Sequence, residues 1–251
     1  MEGSITTSIE KHLAIITFAH PAHNSLPGHL LAELALQIKN AGESAEVQVI
    51  VLNSEGDRTF CAGASFDELM AIKNSEDGKK FFLGFANVIN SIRKCPKLVI
   101  GRVQGKAIGG GVGIVAATDY CLATKYASIK LSELALGIGP FVVGPAIERK
   151  IGLSAFSQLA INATEWQTAD WAKSKGLYHE VFDSTNQLDI YLDQFYQKLL
   201  SSSPAALYAL KQMLWHDTQH WDELLDERAG ISGRLVITEA AQEAIKMARI
   251  A

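Results

Sequence analysis

The sequence predicts an α/β fold that becomes all-helical toward its end. Three observations carry this. Short runs rich in β-branched residues alternate with helically spaced apolar residues through the first half of the chain. Two of these runs hand over to a helix through stretches of small residues. From Phe141 onward helical periodicity dominates, interrupted only by the short run 178–182.

The elements come in this order. Residues 4–9 and 13–18 read as strands, and Glu10-Lys11-His12 turns between them, so the chain opens on a hairpin. His20 to Ser25 is a loop. Pro27 suits the first turn of a helix, with Ser25 as its cap. Leu30, Leu31, Leu34, Ala35 and Ile38 then recur at helical spacing to about Asn40. Residues 47–52 are almost continuously apolar, as in a strand covered on both faces. A polar loop, 53–58, leads into Phe60-Cys61-Ala62-Gly63-Ala64-Ser65, and Phe66 opens a helix. Residues 77–95 form another, with Phe81, Phe82, Phe85, Val88, Ile89 and Ile92 on one side and Pro96 as its stop. Strand-like residues 98–103 feed Gly105-x-Ala107-x-Gly109-Gly110-Gly111, after which Val115-Ala116-Ala117 is helical. Residues 119–123 are one more strand, and 129–134 alternate before Gly137, Gly139 and Pro140. Strand-then-helix units return about every 50 residues without a residue-level repeat.

The chain has 251 residues, enough for one sizeable core, and its net charge of −4 offers no basic surface to nucleic acid. No apolar run is long enough to span a bilayer, and the N-terminus lacks the parts of a signal peptide. Cys61, Cys95 and Cys121 are odd in number and not at metal-ligand spacing, so a reduced, cytoplasmic setting and no metal site are expected. The glycine run matches neither the P-loop nor the dinucleotide pattern. No Gly-x-Ser-x-Gly nucleophile is present.

Two junctions of small residues, each with free N–H groups, can converge on one oxygen that gains negative charge. Glu133, beside Leu131, Leu134 and Leu136, is the carboxylate available to move a proton or activate water, given a pKa raised by burial. The Trp215, His216, His220 and Trp221 cluster has helical spacing and reads as packing or a subunit contact.

Four segments in order resemble the enoyl-CoA hydratase/isomerase (crotonase) superfamily. They are His20-Pro21-x-x-Asn24-Ser25-Leu26, Phe60-Cys61-Ala62-Gly63-Ala64, Gly105-x-Ala107-x-Gly109-Gly110-Gly111 and Ser132-Glu133-Leu134-x-Leu136-Gly137-Ile138. The resemblance covers essentially the whole chain. It implies a spiral of ββα units over residues 1–195 and a helical oligomerisation region over 196–251, forming homotrimers or dimers of trimers. It implies an acyl-CoA thioester substrate and no separate cofactor. The thioester oxygen would be held by the N–H groups of Ala64 and Gly110, with Glu133 catalytic. His23, Ser25, Leu26, Ala62, Ser65 and Phe66 would hold the CoA, and Phe66, Phe85, Ile114 and Phe141 are candidates for the acyl walls. Lys246 or Arg249 are the basic residues near the chain end that could touch a neighbour's CoA.

One position departs from the two-glutamate hydratases: where they carry a Glu, this chain has Gly113. Three readings stay open. The preferred one is a single-carboxylate enoyl-CoA hydratase, whose Gly113 and 140–145 segment are similar to branched-chain members such as methylglutaconyl-CoA hydratases. The others are a Δ3-Δ2 enoyl-CoA isomerase and an acyl-CoA-binding protein without turnover.

Overall fold

The structure, a computed structural model, describes residues 2–250, without the side chains of 249 and 250. The Arg249 side chain therefore lies outside the described residues, and Lys246 is exposed. Strands β1 (Ser4–Glu10) and β2 (Leu13–Ala19) form the expected hairpin, with Lys11 and His12 at positive φ in its turn. Behind them lie β3 (Val49–Ser54), β4 (Thr59–Cys61), β5 (Leu98–Val103), β6 (Lys106–Ile108), β7 (Tyr120–Thr124), β8 (Ile129–Lys130) and β9 (Glu180–Phe182).

These strands divide between two sheets. One has the order β1-β2-β3-β5-β7-β9, parallel throughout except for the opening hairpin. The other is β4-β6-β8, also parallel. Consecutive strands thus alternate between sheets: β3 then β4, β5 then β6, β7 then β8. Each such pair leads into a helical segment: α2 (Phe66–Ala71) with α3 (Ser75–Lys94), then α4 (Gly110–Ala117), then a 3-10 turn at Leu134–Leu136. The chain is a spiral of ββα turns.

The long apolar runs are strands because they are covered on both faces: Val49 to Leu52 and Leu98 to Gly101 are all buried. Helix α1 (Gly28–Glu43) covers one face through Leu30, Leu31, Leu34 and Ile38. On the other face α7 (Thr185–Leu200) contributes Leu188 and Leu192, and α8 (Pro204–Leu214) contributes Leu207. Helices α5 (Gly144–Ile161, kinked at Gly152) and α6 (Ala169–Ser174) intervene, and α9 (Trp221–Leu235) and α10 (Glu239–Ile250) complete the chain.

Three expectations are corrected. Ser25 does not cap α1: its hydroxyl sits 3.3 Å from His20 Nδ1, and Glu68 Oε2 instead accepts the Gly28 N–H at 2.8 Å. The junction at 60–65 begins as a strand, β4, too short to show alternation. The alternating stretch 129–134 is strand only at Ile129–Lys130 and then turns helical. The Trp cluster is packing: Trp221 is buried and meets Trp215 edge-on at 5.8 Å.

Candidate active site

Strands β4, β6 and β8 are parallel and adjacent, with Cys61 opposite Ala107 and Ile108 opposite Lys130. Their C-terminal ends therefore lie side by side. Beyond β4 the chain runs into Ala62-Gly63-Ala64, beyond β6 into Gly109-Gly110, and beyond β8 into Leu131-Ser132-Glu133. The two small-residue junctions and the carboxylate are thus delivered to one edge of one sheet.

The first two junctions touch. Gly63 has φ +88°, and a Cβ there would stand 3.0 Å from the Ile108 carbonyl oxygen and 3.7 Å from the Gly110 nitrogen. Gly110 is the first residue of α4. A side chain on it would overlap the Phe85 ring, and one on Gly111 would reach within 2.6 Å of the Cys61 carbonyl oxygen. Only glycine lets these segments close up. The N–H groups of Ala64 and Gly110 have no hydrogen-bond acceptor among the described residues. Both sit where a free amide at a helix start, or beside one, would otherwise need a partner.

Glu133 joins them through Gly109. The Gly109 N–H donates to the Lys130 carbonyl oxygen at 2.9 Å, and its φ is +52°. A Cβ on Gly109 would lie 2.7 Å from Glu133 Oε1, so the carboxyl rests against bare backbone. Oε2 is buried and has no hydrogen-bond partner. Burial pushes the pKa of Glu133 from 4.5 up to about 7. Of the three leucines expected around it, Leu134 is 50% exposed and turned away, while Leu136 lines the same cavity as Glu133, together with Ile138 and the 139–143 segment.

These groups share one cavity of about 70 Å³, with Ala62, Ala64, Gly110 and Glu133 on its wall. Phe66, Phe81, Phe82, Phe85 and Phe141 supply much of the rest, and Ser132 and Ser232 bring hydroxyls. Ile114 is not on the wall but fully buried in the main core. Gly113 is packed against Val143, which a Cβ at 113 would overlap, and Val143 itself lines the cavity. The place where a second carboxylate would start is filled by an alkyl side chain.

The N-terminal loop reaches the same region by backbone. The Leu26 N–H donates to the Gly63 carbonyl oxygen at 2.8 Å, and the Ala62 N–H donates to that of His23 at 3.2 Å. Asn24 holds the loop in place: its Nδ2 donates to the carbonyl oxygens of Glu55 (2.7 Å) and Thr59 (2.9 Å). His23 is exposed, Ser25 is buried, and the Leu26 side chain lies wholly in the core. Ser65 caps α2 through the Glu68 N–H. Of this group only Ala62 and Phe66 line the cavity.

Sequence reasoning missed the contribution of α9. Gly78 on α3 and Gly233 on α9 meet so closely that a Cβ on Gly78 would stand 2.8 Å from the Gly233 Cα, which brings Ser232 to the cavity wall. Two glycines inside amphipathic helices were the available signal. Among the described residues, no group of three or more His, Cys, Asp or Glu side chains could hold a metal ion. No helix among them is long and apolar enough to cross a membrane.

Spiralling ββα turns that bring two unpaired amides and one buried acid to a common apolar cavity define a class of fold and site. The chain belongs to the enoyl-CoA hydratase/isomerase family, whose family model matches residues 8–249. It is 29% identical over 207 residues to a short-chain-enoyl-CoA hydratase of Clostridium acetobutylicum, covering 82% of this chain and 78% of that protein. It is 31% identical over 167 residues to the mitochondrial methylglutaconyl-CoA hydratase of Mus musculus, covering 66% of this chain and 52% of that protein. The crystal structure of an enoyl-CoA hydratase from Bacillus halodurans superposes with a TM-score of 0.88 at 19% identity, over 97% of this chain and 99% of that one. That likeness establishes the crotonase fold.

Proposed function

We propose that this enzyme adds water across the 2,3 double bond of a 2-enoyl-CoA thioester. The amides of Ala64 and Gly110 hold the thioester oxygen as it becomes an enolate, and Glu133 moves the proton. The observation that carries this reading is the Glu133 carboxyl, whose unbonded Oε2 is buried in the cavity that also takes in Ala64 and Gly110.

In the scheme, the Glu133 carboxylate takes a proton from water while the water oxygen bonds to C3. The π electrons move through C2 to the thioester oxygen. Protonated Glu133 then returns the proton to C2, and the enolate collapses to the carbonyl. Loss of one oxyanion donor typically costs about 2.7–4 kcal/mol. A pKa of about 7 keeps both forms of Glu133 available near neutrality. Ser132 and Ser232 line the same cavity, and a water there needs such polar partners. The scheme draws on no metal or redox group.

The CoA portion is assigned to His23, Ser25 and Leu26 together with Ala62, Ser65 and Phe66. The two backbone bonds joining the N-terminal loop to 62–63 support this. The acyl group is assigned as branched and methylglutaconyl-like, supported by the likeness to the mouse protein. The protein is assigned to the cytoplasm, supported by three buried free thiols. It is assigned as a homotrimer or dimer of trimers, supported by Tyr208, Leu210, Met213 and Leu214 exposed on α8.

A second reading, a Δ3-Δ2 enoyl-CoA isomerase, is favoured by Val143 against Gly113, which leaves one carboxylate to carry a proton between C2 and C4. Replacing Glu133 by Gln should lower crotonyl-CoA hydration by about 10²–10⁴-fold while acyl-CoA binding survives. Full hydration by that variant overturns the role. A 3-enoyl-CoA converted to the 2-enoyl form without water addition selects the isomerase. Binding without any turnover by the unaltered protein selects a non-catalytic module. Light scattering on the same preparation reports whether three or six chains assemble.

A further inference from the structure

Beyond the Pro140–Phe141 segment lies a second cavity, of about 250 Å³, bounded by Gly144, Pro145, Glu148, Phe156 and Arg228 among others. It shares Pro140 and Phe141 with the Glu133 cavity, so one stretch of chain separates the two. Arg228 and Ser232 are four residues apart on α9 and so lie on one face of it. Ser232 lines the first cavity and Arg228 the second.

Arg228 stands out among the cations. Its Nε is buried and has no hydrogen-bond partner. It forms no ion pair among the described residues. Glu148, the carboxylate on the same cavity, is exposed. A guanidinium N–H withdrawn from water and left unpaired is costly and calls for a partner. The Glu133 cavity, by contrast, has no Lys or Arg on its wall. A carboxylate at the far end of an acyl group would be stranded there. It would find its counter-ion one step further on.

We propose that the acyl site continues past Phe141 to Arg228, and that Arg228 binds a carboxylate at the far end of the acyl group. The methylglutaconyl-like substrate assigned above is the mono-CoA thioester of an unsaturated dicarboxylic acid and ends in such a carboxylate, so Arg228 is the residue that sets the preference for it. The planar guanidinium suits this, since it can grip a carboxylate with two parallel bonds. Phe141 is the partition between the cavities. Its ring lies over Gly139, where a Cβ would come within 2.7 Å of it. This inference rests on the thioester chemistry assigned to Glu133.

The test compares crotonyl-CoA with glutaconyl-CoA, which carries the distal carboxylate, on the unaltered protein and on Arg228→Met and Arg228→Lys. The unaltered protein should favour glutaconyl-CoA in kcat/KM. Arg228→Met should reduce that preference at least tenfold, mainly through KM, and Arg228→Lys should retain part of it. A preference for crotonyl-CoA, or a ratio that Arg228→Met leaves unchanged, overturns the inference. A changed assembly mass with an unchanged ratio does the same and gives Arg228 to a contact between copies. If neither thioester is turned over, the reading at Glu133 fails instead. Calorimetric binding of the two thioesters to the same proteins then decides Arg228 separately: equal loss of both on Arg228→Met overturns it, and selective loss of glutaconyl-CoA upholds it.

Discussion

At the scale of a residue, Glu133 couples chemistry to stability. Its pKa is raised from 4.5 to about 7 because burial disfavours the carboxylate. The folded state therefore holds this proton more tightly than the unfolded chain does. Below about pH 4.5 both states are protonated and the raised pKa brings no penalty. Between about pH 4.5 and 7 the unfolded chain gives up this proton while the folded state keeps it, so stability falls progressively, and by the time the folded state carries the buried charge, above about pH 7, roughly 3 kcal/mol is lost. Gln cannot ionise, so Glu133→Gln should be more stable than the unaltered protein at about pH 8, by an amount that shrinks toward zero near pH 4.5. Urea unfolding at the two pH values checks this. Equal stability at the higher pH would mean that the carboxylate reaches water. Because the scheme uses the ionised form as base, kcat/KM should rise with pH around an apparent pKa near 7.

At the scale of elements, the site depends on three short parallel strands ending together. Gly113 shows how tightly the helix after the second of them is fitted. An alanine in a helix interior normally stabilises relative to glycine by about 1 kcal/mol. At 113 the new Cβ would overlap Val143, and overpacking of this kind costs about 1–3 kcal/mol. The overlap should win, making Gly113→Ala destabilising, and Val143→Ala added to it should recover much of the loss. Denaturant titrations of the two singles and the double give the coupling directly. A more stable Gly113→Ala would show that Val143 does not fill this space. Much of the site was legible because glycine leaves a readable mark: Gly63, Gly109 and Gly110 stood out where backbones must touch. The strands β3 and β5 were equally plain as almost continuously apolar runs. Strands β4 and β6 have three residues each, too few for a period, and β8 showed only as the start of the alternating stretch 129–134; that the three pair with one another, joining residues 59, 106 and 130, carries no local signal. The 138–143 wall is a turn-rich segment without periodicity, and Ile114 looked like a wall residue although its helix points it into the core.

At the scale of the molecule, a buried polar tie joins the late helices to the spiral. Asp119, between α4 and β7, accepts from Lys211 Nζ at 2.6 Å and from the Val99 N–H at 2.7 Å through Oδ2, and from Trp215 Nε1 at 2.7 Å through Oδ1. Lys211 also donates to the Ile92 carbonyl oxygen at 2.8 Å, and the two charged side chains are 0% and 2% exposed. Both carboxylate oxygens are engaged, so the pair is tolerated without water. Lys211→Met keeps the aliphatic stem but leaves Asp119 charged in the interior, and breaking a buried pair from one side costs about 3–5 kcal/mol. Asp119→Asn combined with Lys211→Met removes both charges and should cost clearly less than Lys211→Met alone. Thermal unfolding of the two variants separates a charge stranded in the core from a simple loss of packing. If the single and the double fall equally, the tie acts through shape and not through charge, and the coupling between α8 and the spiral belongs to Leu207 and Trp215 instead.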